Sequence, residues 1–321
     1  MTVPHSELSP EMLKQQIKSW AEELGFLACG ITDAHALNQD IQSHTQQWLE
    51  KGYHGSMAYM ENHFEKRMNP SLLVEGAESV ICLAFNYFPD NHSIERQTGA
   101  ALKVAKYAWG EDYHHVIKEK TTQLMQKIQT LVPHFQGRAF TDSAPLMERQ
   151  LAQKAGIGWI GKNSLLLRKG TGSFFFLAEI LSNLPLPPDK PYPTNHCGTC
   201  TACIDACPTQ AIIAPEIINA NRCISYQTIE TKSVSALSPE NHQNWLYGCD
   251  ICQDVCPWNS FSTPHQEPLF QPKEWVFMNA QQWQNSIANP LELKPQLKKS
   301  AAERAGHKKI AQQADILLQN R

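Results

Sequence analysis

The chain has 321 residues, of which 42% are hydrophobic and 18% charged, and its 28 Lys and Arg stand against 31 Asp and Glu. This apolar fraction suffices for a folded core and excludes a mostly disordered chain. The formal net charge of −3 excludes a strongly basic protein that binds nucleic acid nonspecifically.

The first predicted element is a helix that begins after Ser9 and ends at Gly25. Ser is a good N-cap, Pro10 suits the first helical position, and apolar residues follow at helical spacing. Further along, we predict strands over Phe26–Ile31, Ser79–Phe88, Arg138–Thr141 and Ser173–Leu181, a long helix over Glu111–Leu131, and a helix from Ser143 to near Gly156. Because strands and helices interleave, residues 1–190 are expected to form one α/β or α+β domain.

A proline-rich stretch, residues 185–193, interrupts this pattern and predicts a domain boundary. We assign residues 191–265, with eight of the ten cysteines, to a second domain, and residues 266–321 to a polar helical extension. The predicted fold class is α+β. Residues 1–30 show no secretory signal, and the longest apolar run, Phe174–Leu181, is far shorter than the roughly 20 residues of a membrane span. We expect a cytoplasmic protein without membrane segments.

The cysteines of the second domain are spaced as in bacterial ferredoxins. The runs are Cys197-x2-Cys200-x2-Cys203-x3-Cys207-Pro208 and, after a displaced Cys223, Cys249-x2-Cys252-x3-Cys256-Pro257. In two-cluster ferredoxins the fourth cysteine of each run binds the other cluster. The spacing therefore predicts one [4Fe–4S] cluster on Cys197, Cys200, Cys203 and Cys256, and a second on Cys207, Cys223, Cys249 and Cys252. Two zinc sites are disfavoured because zinc ribbons use paired C-x2-C knuckles. Cys29 and Cys82, in apolar strands, are expected to be core thiols.

A glycine-rich segment, Gly156–Asn163 (GIGWIGKN), matches G-x-G-x-x-G and nearly matches the phosphate-binding loop G-x4-G-K-[ST]. Both nucleotide-binding motifs need a strand before the glycines and a helix after them. Here a predicted helix precedes them, Gly156 suits a helix C-cap, and Asn163 replaces the hydroxyl that would hold Mg²⁺. We therefore predict a tight loop that brings backbone close to some other ligand.

Several further motifs lie in a defined order in front of and among the cysteines. They are EKRMNP at residues 65–70, YAWGEDYH at 107–114, DSAPLMER at 142–149, AGIGWIGKNS at 155–164 and CISY at 223–226. Over roughly residues 10–262, the chain closely resembles the epoxyqueuosine reductases, cobalamin-dependent enzymes of the last step of queuosine formation in tRNA. The resemblance implies a cobalamin-binding α/β sandwich domain, related in fold to flavin reductases and reductive dehalogenases, followed by a ferredoxin-like domain with two clusters.

The resemblance also implies an activity and its partners. The substrate would be epoxyqueuosine at the wobble position of a tRNA anticodon, whose epoxide oxygen leaves as water while a cyclopentene ring remains. Cob(II)alamin would be reduced through the two [4Fe–4S] clusters. We expect a monomer that receives electrons from an external donor such as a flavodoxin or ferredoxin system.

The resemblance places the proton donor of this reaction on Asp142. A nearby acid neutralises the alkoxide that forms when an epoxide opens. From the pattern alone, Asp142 instead suits the N-cap of the helix predicted from Ser143, where the helix end would favour the carboxylate. The cobalamin contacts that the resemblance implies are Arg67, Ala105, Asp142, Arg149, Lys162, Asn163, Leu166, Leu177 and Ser225, with Asp250 as a weaker candidate. Taken singly, Arg67 and Arg149 could instead form surface salt bridges.

The cobalt is expected to lack a histidine ligand from the protein. Cobalamin proteins that supply one carry D-x-H-x-x-G, and the nearest match, Asp112–Ile117 (DYHHVI), lacks the glycine and lies in a predicted helix. We therefore expect base-off cobalamin.

A stacked wobble base cannot reach such a cofactor, so we expect the base to be splayed out and basic residues to surround the pocket mouth. Residues 293–310 contain Lys294, Lys298, Lys299, Arg304, Lys308 and Lys309 against the single acid Glu303. This segment is a candidate tRNA-binding surface, as is Lys232. An ordinary solvated helix face is the alternative interpretation.

Two other functions stay open from the sequence. One is a reductive dehalogenase that uses the same cofactors on an organohalide, against which the motifs and the absent secretory signal count. The other is a noncatalytic iron–sulfur electron-transfer protein. Corrinoid bound to the purified protein would distinguish the electron-transfer protein from both enzymes.

Overall fold

The computed structural model describes residues 8–232, 234 and 239–319, so the extreme ends of the first and last predicted domains lie outside the described residues. The helices are Pro10–Glu23 (α1), Gln39–Glu50 (α2), Phe64–Met68 (α3), Asn91–Thr98 (α4), Tyr113–Leu131 (α5), Glu148–Lys154 (α6), Ala202–Asp205 (α7), Ile224–Ile229 (α8), Pro239–His242 (α9), Ile251–Asp254 (α10), Ala280–Ala288 (α11), Leu293–Leu297 (α12) and His307–Leu318 (α13). The strands are Ala28–Asp33 (β1), Ser79–Asn86 (β2), Lys103–Val104 (β3), Gly137–Phe140 (β4), Trp159–Ile160 (β5), Leu166–Leu167 (β6), Phe175–Ser182 (β7), Ile212–Ala214 (β8), Ile217–Ile218 (β9) and Trp245–Tyr247 (β10).

An antiparallel sheet with the strand order β1-β2-β7-β4 lies at the centre of the first domain. Successive side chains of a strand point to opposite faces. In β2, Ile81 and Leu83 therefore pack against α1 and α5, whereas Val80 and Cys82 pack on the other face against α6. Because both faces are covered, β2 is apolar throughout most of its length. This layered arrangement of helices on a sheet confirms the predicted α+β class.

The segment that follows β4 differs from the prediction. We expected a helix from Ser143, but α6 begins at Glu148 and residues 142–147 form a loop. Proline disfavours helical backbone in the residue before it, so Pro145 opposes a helix that runs through Ala144. Asp142 is consequently not a helix N-cap, and that interpretation is wrong.

The glycine-rich segment begins at the end of α6, as predicted. Gly156 has φ of 76°, its N–H donates to the Gln153 carbonyl, and the N–H of Ile157 donates to the Ala152 carbonyl. This Schellman pattern ends the helix and requires a left-handed residue, for which glycine is favoured. The chain then forms the β5–β6 hairpin, whose connecting turn is residues 161–165. A helix before the glycines and a hairpin after them exclude both nucleotide-binding motifs.

We expect Gly158→Ala to destabilise the protein. A Cβ at this position would collide with the carbonyl oxygen of Leu167 in the facing strand, and backbone cannot move aside as a flexible side chain can. The expected loss is about 1–3 kcal/mol in the free energy of unfolding, measured by thermal or urea denaturation. Gly99→Ala is the matched control, because its Cβ would meet the nearest atom, the Arg96 carbonyl oxygen, at 3.6 Å. Equal stability of both variants would contradict the prediction.

The C-terminal extension is helical, as predicted, and shares a core with earlier parts of the chain. β10 pairs with β3 in parallel, and an apolar cluster joins Val104 and Leu246 to Trp275, Trp283 and Ile310. The extension therefore packs against residues of both earlier segments. The domain boundaries at residues 190 and 265 stay predictions. Among the described helices, none combines the length and apolar character that crossing a membrane requires.

Candidate active site

Asp142 lies at the start of the loop between β4 and α6. The preceding residue, Thr141, donates from Oγ1 to the Leu177 carbonyl oxygen of β7 at 2.8 Å, which holds the loop against the sheet. Asp142 has φ of 46°, a left-handed conformation that Asp tolerates better than most residues. Its side chain is 70% exposed, so a ligand can reach the carboxyl group.

Two side chains from the first turn of α5 approach this carboxyl group. Tyr113 Oη donates to Asp142 Oδ2 at 2.8 Å, and His114 Nε2 lies 4.0 Å from the same oxygen. Burial and then the Asp142 charge raise the pKa of Tyr113, so its hydroxyl keeps its proton at neutral pH. Burial lowers the pKa of His114, but the hydrogen bond and charge of Asp112 and the charge of Asp142 outweigh it, and the net shift is upward.

Sequence reasoning assigned no role to Tyr113 or His114. Both belong to the YAWGEDYH motif, and they follow Asp112, which is the N-cap of α5 and accepts a hydrogen bond from the backbone N–H of His114. An N-cap marks the residues that form the first turn. Membership of the YAWGEDYH motif was the sequence signal available for these two residues.

Of the two arginines expected at the cofactor, Arg67 is buried and Arg149 is half-buried. Arg67 in α3 is 6% exposed; its Nη2 donates to the Tyr59 carbonyl oxygen at 2.8 Å, and its Nε has no partner among the described residues. Arg149 in α6 donates to the carbonyl oxygen of Ser164, whose own buried hydroxyl has no partner in the described part of the chain. Burial lowers the pKa of both arginines.

These unpartnered groups bear on the cobalamin prediction. A buried polar atom without a partner is costly and calls for an explanation such as a bound ligand. The corrin ring carries amide side chains that both donate and accept hydrogen bonds. Arg67 and Ser164 therefore offer donors that fit such a cofactor.

The turn between β5 and β6 contacts both cysteine runs. Lys162 Nζ donates to the carbonyl oxygens of Gly198 at 2.7 Å and Cys200 at 2.8 Å. Asn163, which is buried, donates from Nδ2 to the Cys252 carbonyl oxygen at 3.3 Å. The glycine-rich segment thus connects the first domain to the loops that carry the predicted cluster ligands.

The remaining predicted cobalamin contacts are distributed over several elements. Leu166 is buried in β6, Leu177 is half-buried in β7, and Ser225 is half-buried in α8. Ala105 is buried just before a short 3-10 helix. Asp250 is also buried, and it accepts a 2.7 Å hydrogen bond from the backbone N–H of Lys106, whose Nζ lies 3.5 Å away. The carboxylate of Asp250 thus already has a protein partner.

The thiols of the second domain influence one another's pKa in two sets. Burial is the main cause of the raised pKa of Cys203, and the thiols of Cys197, Cys256 and Cys200 add to it. Burial likewise raises the pKa of Cys252, and the thiols of Cys249 and Cys223 add to this shift. The thiol of Cys207 adds to the raised pKa of Cys249 and of Cys223. Cys203 also acts on Cys252, across the two sets. The ligand sets given by the crossed ferredoxin spacing stay predictions.

A cavity of about 340 Å³ lies between the first set of cysteines and the glycine-rich turn. Its lining includes Cys197, Cys200, Cys203, Cys256, Lys162, Asn163, His196, Trp258 and Phe261. Within the described ranges, no three His, Cys, Asp or Glu side chains are placed to hold a single metal ion. The other two cysteines lie in the sheet, where Cys82 is buried and Cys29 partly buried, and burial raises the pKa of both thiols.

Comparison with known proteins supports the motif resemblance. A family model described as "Epoxyqueuosine reductase QueG, DUF1730" matches residues 67–143, and one for a 4Fe–4S double cluster binding domain matches residues 196–259. The chain is 53% identical over 262 residues to the epoxyqueuosine reductase of Cyclobacterium marinum, which covers 80% of this chain and 83% of the relative. The chain belongs to the epoxyqueuosine reductase family.

Two solved structures of epoxyqueuosine reductases extend the comparison over nearly the whole fold. One, with an epoxyqueuosine-modified tRNA-Tyr stem loop, superposes with a TM-score of 0.85 at 29% identity and covers 95% of this chain and 80% of that chain. The other, from Bacillus subtilis, is described with a catalytic aspartate loop swung out of the active site. It superposes with a TM-score of 0.86 at 30% identity and covers 95% of this chain and 81% of that chain. The enzyme described here is accordingly an oxidoreductase of this family with a double-cluster domain.

Proposed function

We propose that this enzyme reduces epoxyqueuosine to queuosine at the wobble position of tRNA anticodons. The observation that carries the proposal is a continuous path of contacts from the cysteines to the acid. Lys162 and Asn163 contact the two cysteine runs, Arg149 binds the same turn at Ser164, and α6 leads directly back to the loop of Asp142. The tRNA stem loop bound by a solved relative supports the substrate.

The reaction consumes two electrons and two protons. Both carbon–oxygen bonds of the epoxide break, a carbon–carbon double bond forms, and the oxygen leaves as water. When bound, cobalamin would supply low-valent cobalt as the reductant of the epoxide, and the two clusters would pass electrons to it from an external flavodoxin or ferredoxin system.

Asp142 is the proton donor in this proposal. Its exposed carboxyl group can reach the epoxide oxygen of a splayed-out base, and protonation removes the negative charge that develops on this oxygen. Tyr113 donates a hydrogen bond to Oδ2 and fixes the orientation of the carboxyl group. Bound substrate would exclude water from this acid and strengthen its interaction with the developing charge.

The residues that would hold cobalamin are Arg67, Ala105, Asp142, Arg149, Lys162, Asn163, Leu166, Leu177 and Ser225, with Asp250 as a weaker candidate. The expectation that no histidine of the protein would bind cobalt stays a prediction from the sequence. The Nδ1 of His114 lies 2.7 Å from the N-cap carboxylate of Asp112 at the start of α5, which holds the ring in place.

The experiment that tests the function is anaerobic purification followed by metal analysis and turnover. We expect about eight iron atoms, four for each cluster, and one cobalt per chain. Incubation with reductant and epoxyqueuosine-containing tRNA should remove the mass of one oxygen atom from the modified nucleoside. Turnover of an aryl halide but not of the tRNA would favour the dehalogenase, and absence of corrinoid would favour the electron-transfer protein.

Arg304 is the residue of the basic C-terminal segment that we place at the tRNA. Its side chain is 66% exposed and pairs with Glu230 at 2.6 Å, and its charge is close enough to act on Tyr59 and His114, as Asp142 does. Lys309, by contrast, donates to the carbonyl oxygens of residues 229 and 231 at 2.9 and 2.7 Å. We therefore place Arg304, rather than Lys309, near the mouth of the site.

We expect Arg304→Glu to weaken tRNA binding. The slope of the logarithm of the tRNA association constant against the logarithm of the salt concentration should also become shallower by about one, which corresponds to one phosphate contact. The measurement is tRNA affinity at several salt concentrations. Lys127→Glu is the matched control, because Lys127 is also exposed and paired, with Glu23 at 2.8 Å, and lies about 20 Å along α5 from Tyr113. Equal affinities of the two variants would argue against an RNA contact at Arg304.

A further inference from the structure

Two carboxyl groups lie beneath the Asp142 loop, and the mechanism above does not use them. Glu179 is in the middle of β7 and is completely buried, and neither of its carboxyl oxygens accepts a hydrogen bond from an N–H or hydroxyl group of the described residues. The carboxyl group of Glu148, the first residue of α6, lies within hydrogen-bonding reach of it. Two carboxyl groups can bond to each other only when one carries a proton.

The sheet register explains why this pair lies under the loop. Glu179 is paired with Phe140, the last residue of β4, and the chain continues from there to Thr141 and Asp142. α6 packs on the same face of the sheet, with Leu151 against Cys82 and Phe140 in one cluster. The first residue of α6 therefore projects between the sheet and the loop.

One hydrogen bond connects the pair to the proposed acid. The backbone N–H of Asp142 donates to Glu148 Oε1 at 2.7 Å. Asp142 has left-handed backbone, a conformation that a non-glycine residue keeps only where its surroundings hold it. A second hydrogen bond, from Thr141 to the Leu177 carbonyl oxygen, also holds the loop. Together the two hydrogen bonds fix the backbone at Thr141 and Asp142, and this backbone sets the direction of the Asp142 side chain.

The charges around the pair favour a retained proton. Burial and then the Asp142 charge raise the pKa of Glu148 to about 7, and burial and the neighbouring Glu148 raise the pKa of Glu179 further. Arg149 of α6 opposes the shift of Glu148. The other titratable groups that face the pair are Arg67 of α3, Tyr113 of α5 and Cys82 of β2. At neutral pH the pair is therefore expected to hold at least one proton.

We propose that Glu148, supported by Glu179, is a positioning residue that holds the Asp142 loop in the conformation in which the acid faces its substrate. This inference rests on the proposed role of Asp142 as proton donor. Glu148 acts through the backbone of Asp142 and contacts neither the substrate nor the epoxide oxygen. Loss of the shared proton would place two negative charges, that of Glu179 fully buried, next to Asp142, and their repulsion would loosen the loop.

The direct test is hydrogen–deuterium exchange of the segment 141–147, which reads the loop without reference to turnover. We expect Glu148→Ala to raise the exchange of the Asp142 amide and to lower kcat by tenfold or more, since misplacing a catalytic group by roughly 1 Å costs about that much or more. Glu148→Gln keeps an acceptor oxygen and should restore protection and a large part of kcat. Glu22→Ala, an exposed residue of α1, is the control for a helix Glu elsewhere.

The pH dependence of kcat adds a readout that a merely structural role of the side chain would not alter, whereas that of Tm reports only the protonation of the pair. A carboxyl group whose pKa is about 7 when folded binds more protons in the folded than in the unfolded chain between about pH 4.5 and 7, so its contribution to stability falls as pH rises through this window. Wild-type kcat should also fall as the pair loses its proton and the loop loosens. Glu148→Gln should flatten both the fall in Tm and the fall in kcat. Glu179→Gln should act in the same direction.

The outcomes separate this inference from the proposed function. Unchanged exchange of the Asp142 amide in Glu148→Ala would overturn the positioning role, whatever the turnover. If Glu148→Ala fails to fold, an unaltered pH profile of kcat in both glutamine variants would overturn the positioning role instead. Full turnover by Asp142→Ala would remove the proposed acid, whereas raised exchange in Glu148→Ala would still show that Glu148 orders the loop.

Discussion

Replacing Asp142 with Ala is expected to abolish most turnover of epoxyqueuosine-containing tRNA while iron and cobalt contents stay at the wild-type level. The carboxyl group is the proposed source of the proton for the leaving oxygen, and a general acid of this kind contributes about 10²–10⁴ in rate. The side chain is exposed and is not part of a core, so its removal should leave folding intact. The measurement is single-turnover conversion, with metal analysis of the same sample.

Asp142→Asn is the sharper variant of this experiment. Asn tolerates left-handed backbone as Asp does and can still accept the hydrogen bond of Tyr113, but its amide cannot supply an acidic proton. We expect it to lose nearly as much rate as the Ala variant. The matched control is Asp40→Ala, an exposed aspartate in the first turn of α2. Undiminished rates in the Asn variant would show that the proton comes from another group.

Replacing Cys252 with Ala is expected to remove one of the two clusters, so that the iron content falls from about eight to about four atoms per chain. Electrons would then no longer pass along the full path, and reduction of the tRNA should fall to background under an external electron donor. Cys29→Ala is the control, because Cys29 lies in β1, away from the cysteine runs, and its burial raises the pKa of the thiol to about 12. It should retain the full iron content.

The crossed ligand assignment can be tested in the same series. Cys207 belongs to the first run in sequence, yet it contributes to the pKa shifts of Cys223 and Cys249. Cys207→Ala and Cys249→Ala should therefore remove the same paramagnetic signal, and Cys256→Ala should remove the signal that is lost in Cys203→Ala. If Cys207→Ala instead removed the signal lost in Cys203→Ala, each run would hold its own cluster.

Local patterns were sufficient wherever the chemistry depends on spacing along the chain. The cysteine runs predicted a double-cluster domain, and the family match over residues 196–259 confirms it. The helix predicted before Gly156 excluded both nucleotide-binding motifs at the glycines, and this prediction held because a helix C-cap is determined by neighbouring residues. The start of α1 followed in the same way from Ser9, whose hydroxyl accepts the Met12 N–H. Such features need only the few residues that adjoin them.

The error at residues 142–147 has the opposite cause. The pattern Asp-Ser-Ala-Pro has a good N-cap residue, and although Pro145 opposes a helix through Ala144, no local signal placed the start of α6 at Glu148, five residues after Ser143. The loop is held by Leu177 and by Glu148, which reach it from β7 and α6. Tertiary contacts override weak local preferences where they are several and mutually supporting.

By itself, the sequence determined the family, the fold class and the presence of a double-cluster domain, since these depend on motifs, periodicity and spacing, and the two crossed cysteine sets stay predictions. Only the tertiary structure brought Tyr113 to Asp142, Glu179 beneath Glu148, and the turn of Lys162 and Asn163 onto the cysteine loops. Between Tyr113 and Asp142, and between Glu148 and Glu179, lie about thirty residues of chain in each case, and no local rule relates residues so far apart. Their distances are decided by the strand order β1-β2-β7-β4 and by the packing of α5 and α6 on opposite faces of that sheet.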